Sequence, residues 1–408
     1  MSDVSDEARD FDRMWADLAP VGRDGRTGGY HRFAWTREDH TLREWFAGEC
    51  ARLGLDLTED RFGNQWAWWG DPDREPGRGV VVGSHLDSVP DGGAFDGPLG
   101  VVSSLATVES LQRNGFRPTR PIAVVNFGDE EGARFGVACA GSRVITGALT
   151  ADRALGLTDA DGVSMGEALQ RAGRSTDLGP DRETLSRVGA FVELHVEQGR
   201  ALADLDPATS AVAVGTDIWP HGRWRIELPG AANHAGTTRI EDRDDALLKA
   251  AQVVLAARQQ AERHGCVATV GRMSVQPNGI NAVPAHVTTF LDARGSDADA
   301  VRSAVADVRE VVGSLAGAMH EESWTPSTPF DADLSERVRR VLGGVPTLGT
   351  GAGHDAGILA NAGVPTAMIF VRNPTGISHA PTEFAESADC HVGVRALTAV
   401  VADLAGEV

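Results

Sequence analysis

Residues 79–100 read GVVVGSHLDSVPDGGAFDGPLG, and the fold is decided there. Gly79 to Gly83 is a short apolar β-branched run, which suits a strand buried on both faces. The loop that follows, Ser84 to Gly100, is rich in Gly, Asp and Pro, the residues that turn a chain. Beyond it Val101, Leu105, Val108 and Leu111 recur at helical spacing, and Pro121 to Phe127 reads as a second buried strand. Upstream, helices are predicted near Glu7 to Leu18 and Arg37 to Leu53, with short strands at Leu55 to Glu59 and Asn64 to Trp69. Buried strands alternating with amphipathic helices imply an α/β sheet covered on both faces.

A different rhythm starts near Gly215. Strands are expected at Arg223 to Leu228, Val267 to Val275, Val287 to Ala293 and around Trp324, with helices at Arg243 to His264 and Ala298 to Leu315. That order, βαββαβ, is the split βαβ arrangement of a ferredoxin-like α+β module. The α/β rhythm then resumes with Gly343 to Gly349, a helix after His354, the strand Pro365 to Val371 and a C-terminal helix. The expected organisation is an α/β domain with a mixed sheet, residues 1–214 and 328–408, carrying an inserted domain at 215–327. A chain of 408 residues has ample apolar material for two cores.

Composition removes several function classes. A net charge of −20 repels nucleic acid and anionic membrane surfaces, and Lys249 is the only lysine, so no basic cluster offsets it. No apolar run is long enough to span a bilayer, and the acidic segment Met1 to Asp10 does not read as a signal peptide. Cys50, Cys139, Cys266 and Cys390 are scattered without a CxxC pair, which suits a reducing, cytoplasmic setting.

Five segments concentrate metal-binding side chains at strand ends, where open α/β sheets keep their ligands. They are Gly83 to Ser88, Gly93 to Gly97, Asp129 to Gly132, Glu193 to Gly199 and Gly376 to Pro381. Imidazole with carboxylate suits zinc, manganese, cobalt or nickel. In His85-Leu86-Asp87 the period of two puts imidazole and carboxylate on one face, so Asp87 can accept a hydrogen bond from His85 and fix its tautomer. Asp96, in a Gly-flanked loop, can present one oxygen to each of two cations. The neighbouring carboxylates Glu130 and Glu131 repel one another unless a cation or proton intervenes.

Together these segments resemble the M20 metallopeptidase clan, and within it the hydantoinase/carbamoylase branch. That branch includes N-carbamoyl-L-amino acid hydrolases, β-ureidopropionases and allantoate amidohydrolases. The resemblance runs from about Arg13 to about Ala402, with the motifs in the family's order. It implies two divalent metal ions, with His85 and His195 on one, Glu131 and His379 on the other, and Asp96 bridging them. Glu130 then resembles the general base, and Gln198 a substrate contact. The resemblance also implies that the inserted domain is a lid that makes a homodimer. His234, in Ala232 to Thr238, is similar to the histidine that reaches the partner's active site and stabilises the oxyanion. Asn281 and Arg294 match the positions that hold a substrate carboxylate. Gly353 would offer a backbone N–H, with His354 and Asp355 supporting the metal shell.

One position marks the sub-branch, and several others depart from the family's pattern. His195 stands where peptidase members hold a carboxylate, which favours ureido substrates. His221 occupies a position where allantoate-type relatives have glutamine, and is counted among the substrate contacts. Arg239-Ile240 and Arg372-Asn373 stand where many members carry Pro-Met and Pro-Ser, and Arg372 either contacts a second acidic group or pairs with a surface carboxylate, the latter being slightly favoured. The implied activity is hydrolysis of the ureido C–N bond of a small carboxylated substrate such as an N-carbamoyl-L-amino acid, with release of ammonia and carbon dioxide. The alternatives are allantoate amidohydrolase and an M20 aminoacylase or dipeptidase acting on an ordinary amide.

Overall fold

The structure is a computed structural model that describes residues 4–74, 77–206 and 208–408; Met1 to Asp3 of the acidic N-terminal segment lie outside the described residues. Its strands are β1 (Asp56–Glu59), β2 (Gln65–Trp69), β3 (Gly79–His85), β4 (Ile122–Phe127), β5 (Val188–Val196), β6 (Val212–Ile218), β7 (His221–Pro229), β8 (Asn233–His234), β9 (Val267–Gln276), β10 (Ala282–Val283), β11 (His286–Arg294), β12 (Ala318–Thr325), β13 (Thr328–Pro329), β14 (Thr347–Thr350) and β15 (Thr366–Val371). The chain divides into two compact units, residues 1–216 with 329–408, and residues 217–328.

The first unit is built on a mixed nine-stranded sheet in the order β1-β2-β4-β3-β5-β15-β6-β13, with β14 paired to β6. Its centre, β4-β3-β5-β15, is parallel, and the flanking pairs β2-β4 and β15-β6 are antiparallel. Every residue of β3, β4 and β15 is buried. Val80 and Val82 join the core formed with the helices Pro98–Arg113 and Ser387–Ala405, while the equally buried Val81 points to the opposite layer. Each such valine contributes about 1.5–3 kcal/mol of burial, so both layers depend on this one strand.

The second unit pairs a four-stranded antiparallel sheet, order β12-β7-β11-β9, with the helices Ala246–His264 and Ala298–Ser314, the ferredoxin-like plan. Here burial alternates: in β11 Val287, Thr289, Leu291 and Ala293 are buried and the intervening residues are half exposed. One face packs on Val253, Ala257, Val301 and Val305 of the helices.

The differences from expectation lie at element ends and in short elements. The helix expected from Arg243 starts at Ala246, because the Asp245 carboxylate accepts the N–H groups of Leu247 and Leu248 and caps it there. The strand expected over Gly343 to Gly349 forms only at Thr347–Thr350, since Gly343 and Gly344 adopt left-handed turn conformations. The four short helices between Ala140 and Ser186, of five to seven residues, are too short to show a helical period, and strand β6 has no counterpart among the expected strands. No helix among the described residues is long and apolar enough to cross a membrane.

Candidate metal centre

The parallel strands β3, β4, β5 and β15 deliver their carboxyl ends to one region of the first unit, and five of the expected side chains meet there. His85 is the last residue of β3, His195 lies near the end of β5, Glu131 follows β4, and His379 follows β15. Asp96 comes from the loop after β3 and stands between two groups. Its Oδ1 is 3.6 Å from His85 Nε2 and 3.2 Å from His195 Nε2; its Oδ2 is 3.3 Å from His379 Nε2. Glu131 Oε2 completes the second group at 3.6 Å from His379 Nε2. His85, Asp96 and His195 form one cluster able to hold a cation, and Asp96, Glu131 and His379 another, with Asp96 common to both.

The residue types fit two divalent cations. His85 Nδ1 donates to the Asp87 carbonyl at 3.2 Å and His195 Nδ1 to the Val196 carbonyl at 2.9 Å. A carbonyl only accepts, so the proton sits on Nδ1 and each Nε2 offers a lone pair. Both Nε2 atoms are buried without a hydrogen-bond partner, a costly arrangement unless something electron-poor lies against them.

Electrostatics point the same way. Burial pulls the His85 pKa down, but Glu130, Asp87 and Asp96 together push it well above the ordinary histidine value. Burial acts to raise Asp96, yet His195, His379 and His85 hold it well below the usual carboxylate range. Burial, then Asp96, raises Glu131 to about 7. The hydrogen bond to Asp96 lifts His379 to about 9. Glu130 is held well above the usual range by burial, with Asp355, Glu131 and Asp87 adding their repulsion against the pull of His85. So many buried carboxylates demand positive charge, and protons supply it when cations do not.

Backbone geometry makes the loop possible. Gly97 has a φ of 85°, and a Cβ there would come within 2.6 Å of the His85 ring. A Cβ on Gly93 would strike the Glu383 carboxylate. Only glycine lets Asp96 approach so closely.

Asp87 faces His85 Nδ1 with both its backbone carbonyl, at 3.2 Å, and its carboxylate, at 3.4 Å, and the carboxylate also accepts the N–H groups of Glu130 and Glu131 at 3.1 and 3.0 Å. It thus ties the β4 loop to the β3 loop. Glu130 Oε2 lies 3.7 Å from His85 Nε2, and Oε1 accepts the Cys139 thiol at 3.2 Å. Gln198 Nε2 donates to Asp96 Oδ2 at 2.8 Å, and its Oε1 is buried without a partner. His354 packs edge-on against His195 with ring centroids 4.5 Å apart, and burial keeps it well below the ordinary histidine pKa. Asp355 accepts the Ser142 hydroxyl, and burial beside Glu193 raises it to about 8. Gly353 is exposed with open space around it. Arg372 pairs through two hydrogen bonds with Asp389, a buried carboxylate rather than the surface one expected.

The second unit holds the other four residues in two pairs. His221 and Arg294 are directly opposite one another across β7 and β11, and burial keeps the His221 pKa below the ordinary value. Arg294 grips Asp292 with two hydrogen bonds of 2.8 and 2.7 Å. His234 and Asn281 meet where β8 pairs with β10, with the Asn281 carbonyl accepting the Ala235 N–H. His234 Nδ1 accepts the Gly236 N–H at 3.0 Å, which leaves the proton on an exposed Nε2. Arg294 is the last residue of β11 and Asn281 lies five residues before its first, so a nine-residue strand spanning roughly 26 Å runs between two residues expected on one substrate carboxylate.

Two carboxylates have no role of their own in the sequence reading. Glu193 accepts Ser84 Oγ and the Ala356 N–H and joins His195 and His354 in a third cluster. Its position two residues before His195 on one strand face was the available signal. Glu383 accepts the N–H groups of Phe95 and Asp96 at 2.9 and 3.1 Å and the Ser378 hydroxyl. It is nearly 290 residues from Asp96 in sequence, and nothing local marks it.

Residues 81–403 match the model of peptidase family M20/M25/M40, and the chain belongs to that family. It is 36% identical to the N-carbamoyl-L-amino acid amidohydrolase of Geobacillus stearothermophilus over 97% of this chain and 98% of that one. It is 30% identical to the allantoate amidohydrolase of Escherichia coli over 95% and 96% of the two chains. A solved amidase of the hydantoinase/carbamoylase family from Burkholderia vietnamiensis superposes with a TM-score of 0.84 at 32% identity, over 98% of each chain. Within M20 the protein is thus a metal-dependent amidohydrolase of the hydantoinase/carbamoylase branch, acting on C–N bonds.

Proposed function

We propose that the protein hydrolyses the ureido C–N bond of an N-carbamoyl-L-amino acid, releasing the amino acid, ammonia and carbon dioxide. One observation carries this reading: Asp96 turns one oxygen to His85 and His195 and the other to His379, beside Glu131. Those five side chains would hold two divalent cations, which when bound acidify a water and polarise a carbonyl. Glu130 takes the water's proton and passes it to the leaving nitrogen. Its burial among like charges supports that role, since such a carboxylate binds a proton readily. His234 donates from Nε2 to the carbonyl oxygen as negative charge develops there. Arg294 takes the substrate carboxylate as a fork, with His221 beside it, while Asn281 and Gln198 add hydrogen bonds and Gly353 its N–H. Asp87, His354 and Asp355 keep the surrounding ligands oriented.

The protein acts as a homodimer through its second unit. Leu248 and Leu255 of the helix Ala246–His264 are 62% and 70% exposed, and β9 is hydrogen-bonded on one side only among the described residues. The separation of His234 and Asn281 from His221 and Arg294 supports the same conclusion, because one small substrate cannot reach both pairs of a single copy. Four unpaired cysteines, three of them buried, support a cytoplasmic setting.

The imidazole of His195 favours a ureide over an ordinary amide, and His221 favours a carbamoyl amino acid over allantoate. A panel of carbamoyl-L-amino acids, carbamoyl-β-alanine, allantoate and acyl-amino acids, assayed with manganese, cobalt, nickel and zinc in turn, tests this directly. Ammonia release from the carbamoyl amino acids is expected; turnover confined to acyl-amino acids would overturn the reading.

A further inference from the structure

At the opposite end of the large sheet from the metal centre lies a cavity of about 540 Å³. Arg78 and Arg120 stand just before β3 and β4, Arg74 and Arg117 lie on the neighbouring loops, and the rings of Trp69 and Phe116 form part of its wall. The whole of β3, seven residues or roughly 20 Å, separates this cavity from His85. On a chain whose net charge is −20, this cavity gathers four guanidinium groups; Arg78 has a partner of its own, and Arg74, Arg117 and Arg120 carry the local positive charge.

Most arginines here are neutralised; Arg13, Arg43, Arg52, Arg187 and Arg372, for example, face carboxylates within hydrogen-bonding distance. The cavity differs. Among the described residues Arg74 and Arg117 have no carboxylate partner, and both are exposed. Arg120 bonds only to backbone carbonyls, those of Arg78 and Leu404. Asp71 is the one acidic side chain in the described lining. Trp69 and Phe116 stand edge to face, centroids 6.5 Å apart, and both are half-buried, so each presents part of a ring. Guanidinium forks match the geometry of phosphate oxygens, and exposed ring faces accept a flat heterocycle. The volume lies within the range of about 300–1,000 Å³ typical of small-molecule sites.

We propose that this cavity binds a mononucleotide, its phosphate on Arg74, Arg117 and Arg120 and its base against Trp69 and Phe116. The site is independent of the metal centre and of the reaction assigned to it.

Calorimetric titration of the full-length, metal-loaded enzyme with AMP, ribose 5-phosphate and inorganic phosphate tests the assignment, together with quenching of tryptophan fluorescence. Binding of AMP is expected, weakened at least tenfold by the pair Arg74→Ala and Arg117→Ala, whose side chains are exposed. AMP should quench the native protein and quench Trp69→Phe much less. Carbamoylase turnover without AMP should be the same in all variants. The proposal is overturned if AMP does not bind, if the arginine pair leaves its affinity unchanged because phosphate has gone to the active-site cations, or if inorganic phosphate binds as tightly as AMP.

Discussion

The central strands of the two sheets obey different rules, and the division of labour between the units follows from it. In β3 all seven residues are buried, so neither face is free to carry chemistry, and the reactive groups appear only where the strands end. In β11 alternate residues are half exposed, so polar groups can sit along the strand itself, as Asp292 and Arg294 do beside His221. A doubly covered parallel sheet concentrates function at one edge, whereas a half-covered antiparallel one spreads it.

The largest effect should come from the edge where everything converges. Asp96→Ala is expected to lose both cations and essentially all turnover, measured by metal content and ammonia release; retention of two equivalents would break the shared-ligand geometry. Glu130→Gln should keep the metals while turnover falls by about 10²–10⁴-fold, the usual worth of a positioned acid–base group. Turnover near the native level would remove Glu130 from the mechanism.

The spread-out unit makes a prediction that the converging one cannot. His234→Ala and Arg294→Ala should each be nearly inactive as pure dimers, yet mixing them with subunit exchange should restore about a quarter of native activity, because half of the dimers are mixed and each mixed dimer has one intact site. A dead mixture would place both residues in the site of one copy. Leu255→Glu should shift the protein to monomer in light scattering and lower activity with it.

Cation binding should depend on pH. Glu131 near 7 and His379 near 9 hold protons that a cation must displace, so affinity should rise between about pH 6 and 9 and level off above. Competition with a chelator checks the sign, which a flat profile would contradict. The smallest effect tests the two burial rules themselves. Val81→Thr and Val82→Thr should each cost about 1–3 kcal/mol in denaturant unfolding, since a hydroxyl on either face of β3 is buried without a partner. Thr288→Val, on the half-exposed face of β11, should stay within about 0.5 kcal/mol.

Much of the site could be read from sequence because its ligands sit in short glycine-flanked segments at the ends of apolar runs. His85, Asp96, Glu130-Glu131, His195 and His379 each carry that local mark. Glu383 does not: its role is to accept two backbone N–H groups of a loop far away in the chain, and no periodicity records such a bond. The second task of the Asp87 carboxylate, holding the N–H groups of the next loop, is likewise a matter of position rather than residue type.

Residue type and spacing alone determined the two rhythms of the chain, the sheet covered on both faces and the supply of imidazole and carboxylate, because these depend on solvation and on the repeat of a strand or helix. Tertiary structure decided which carboxylate oxygen faces which imidazole, which nitrogen of each histidine is free, and that Asn281 lies beside His234 while Arg294 lies opposite His221. Those outcomes depend on distances between residues far apart in the chain, which are fixed only when strands pair and helices pack.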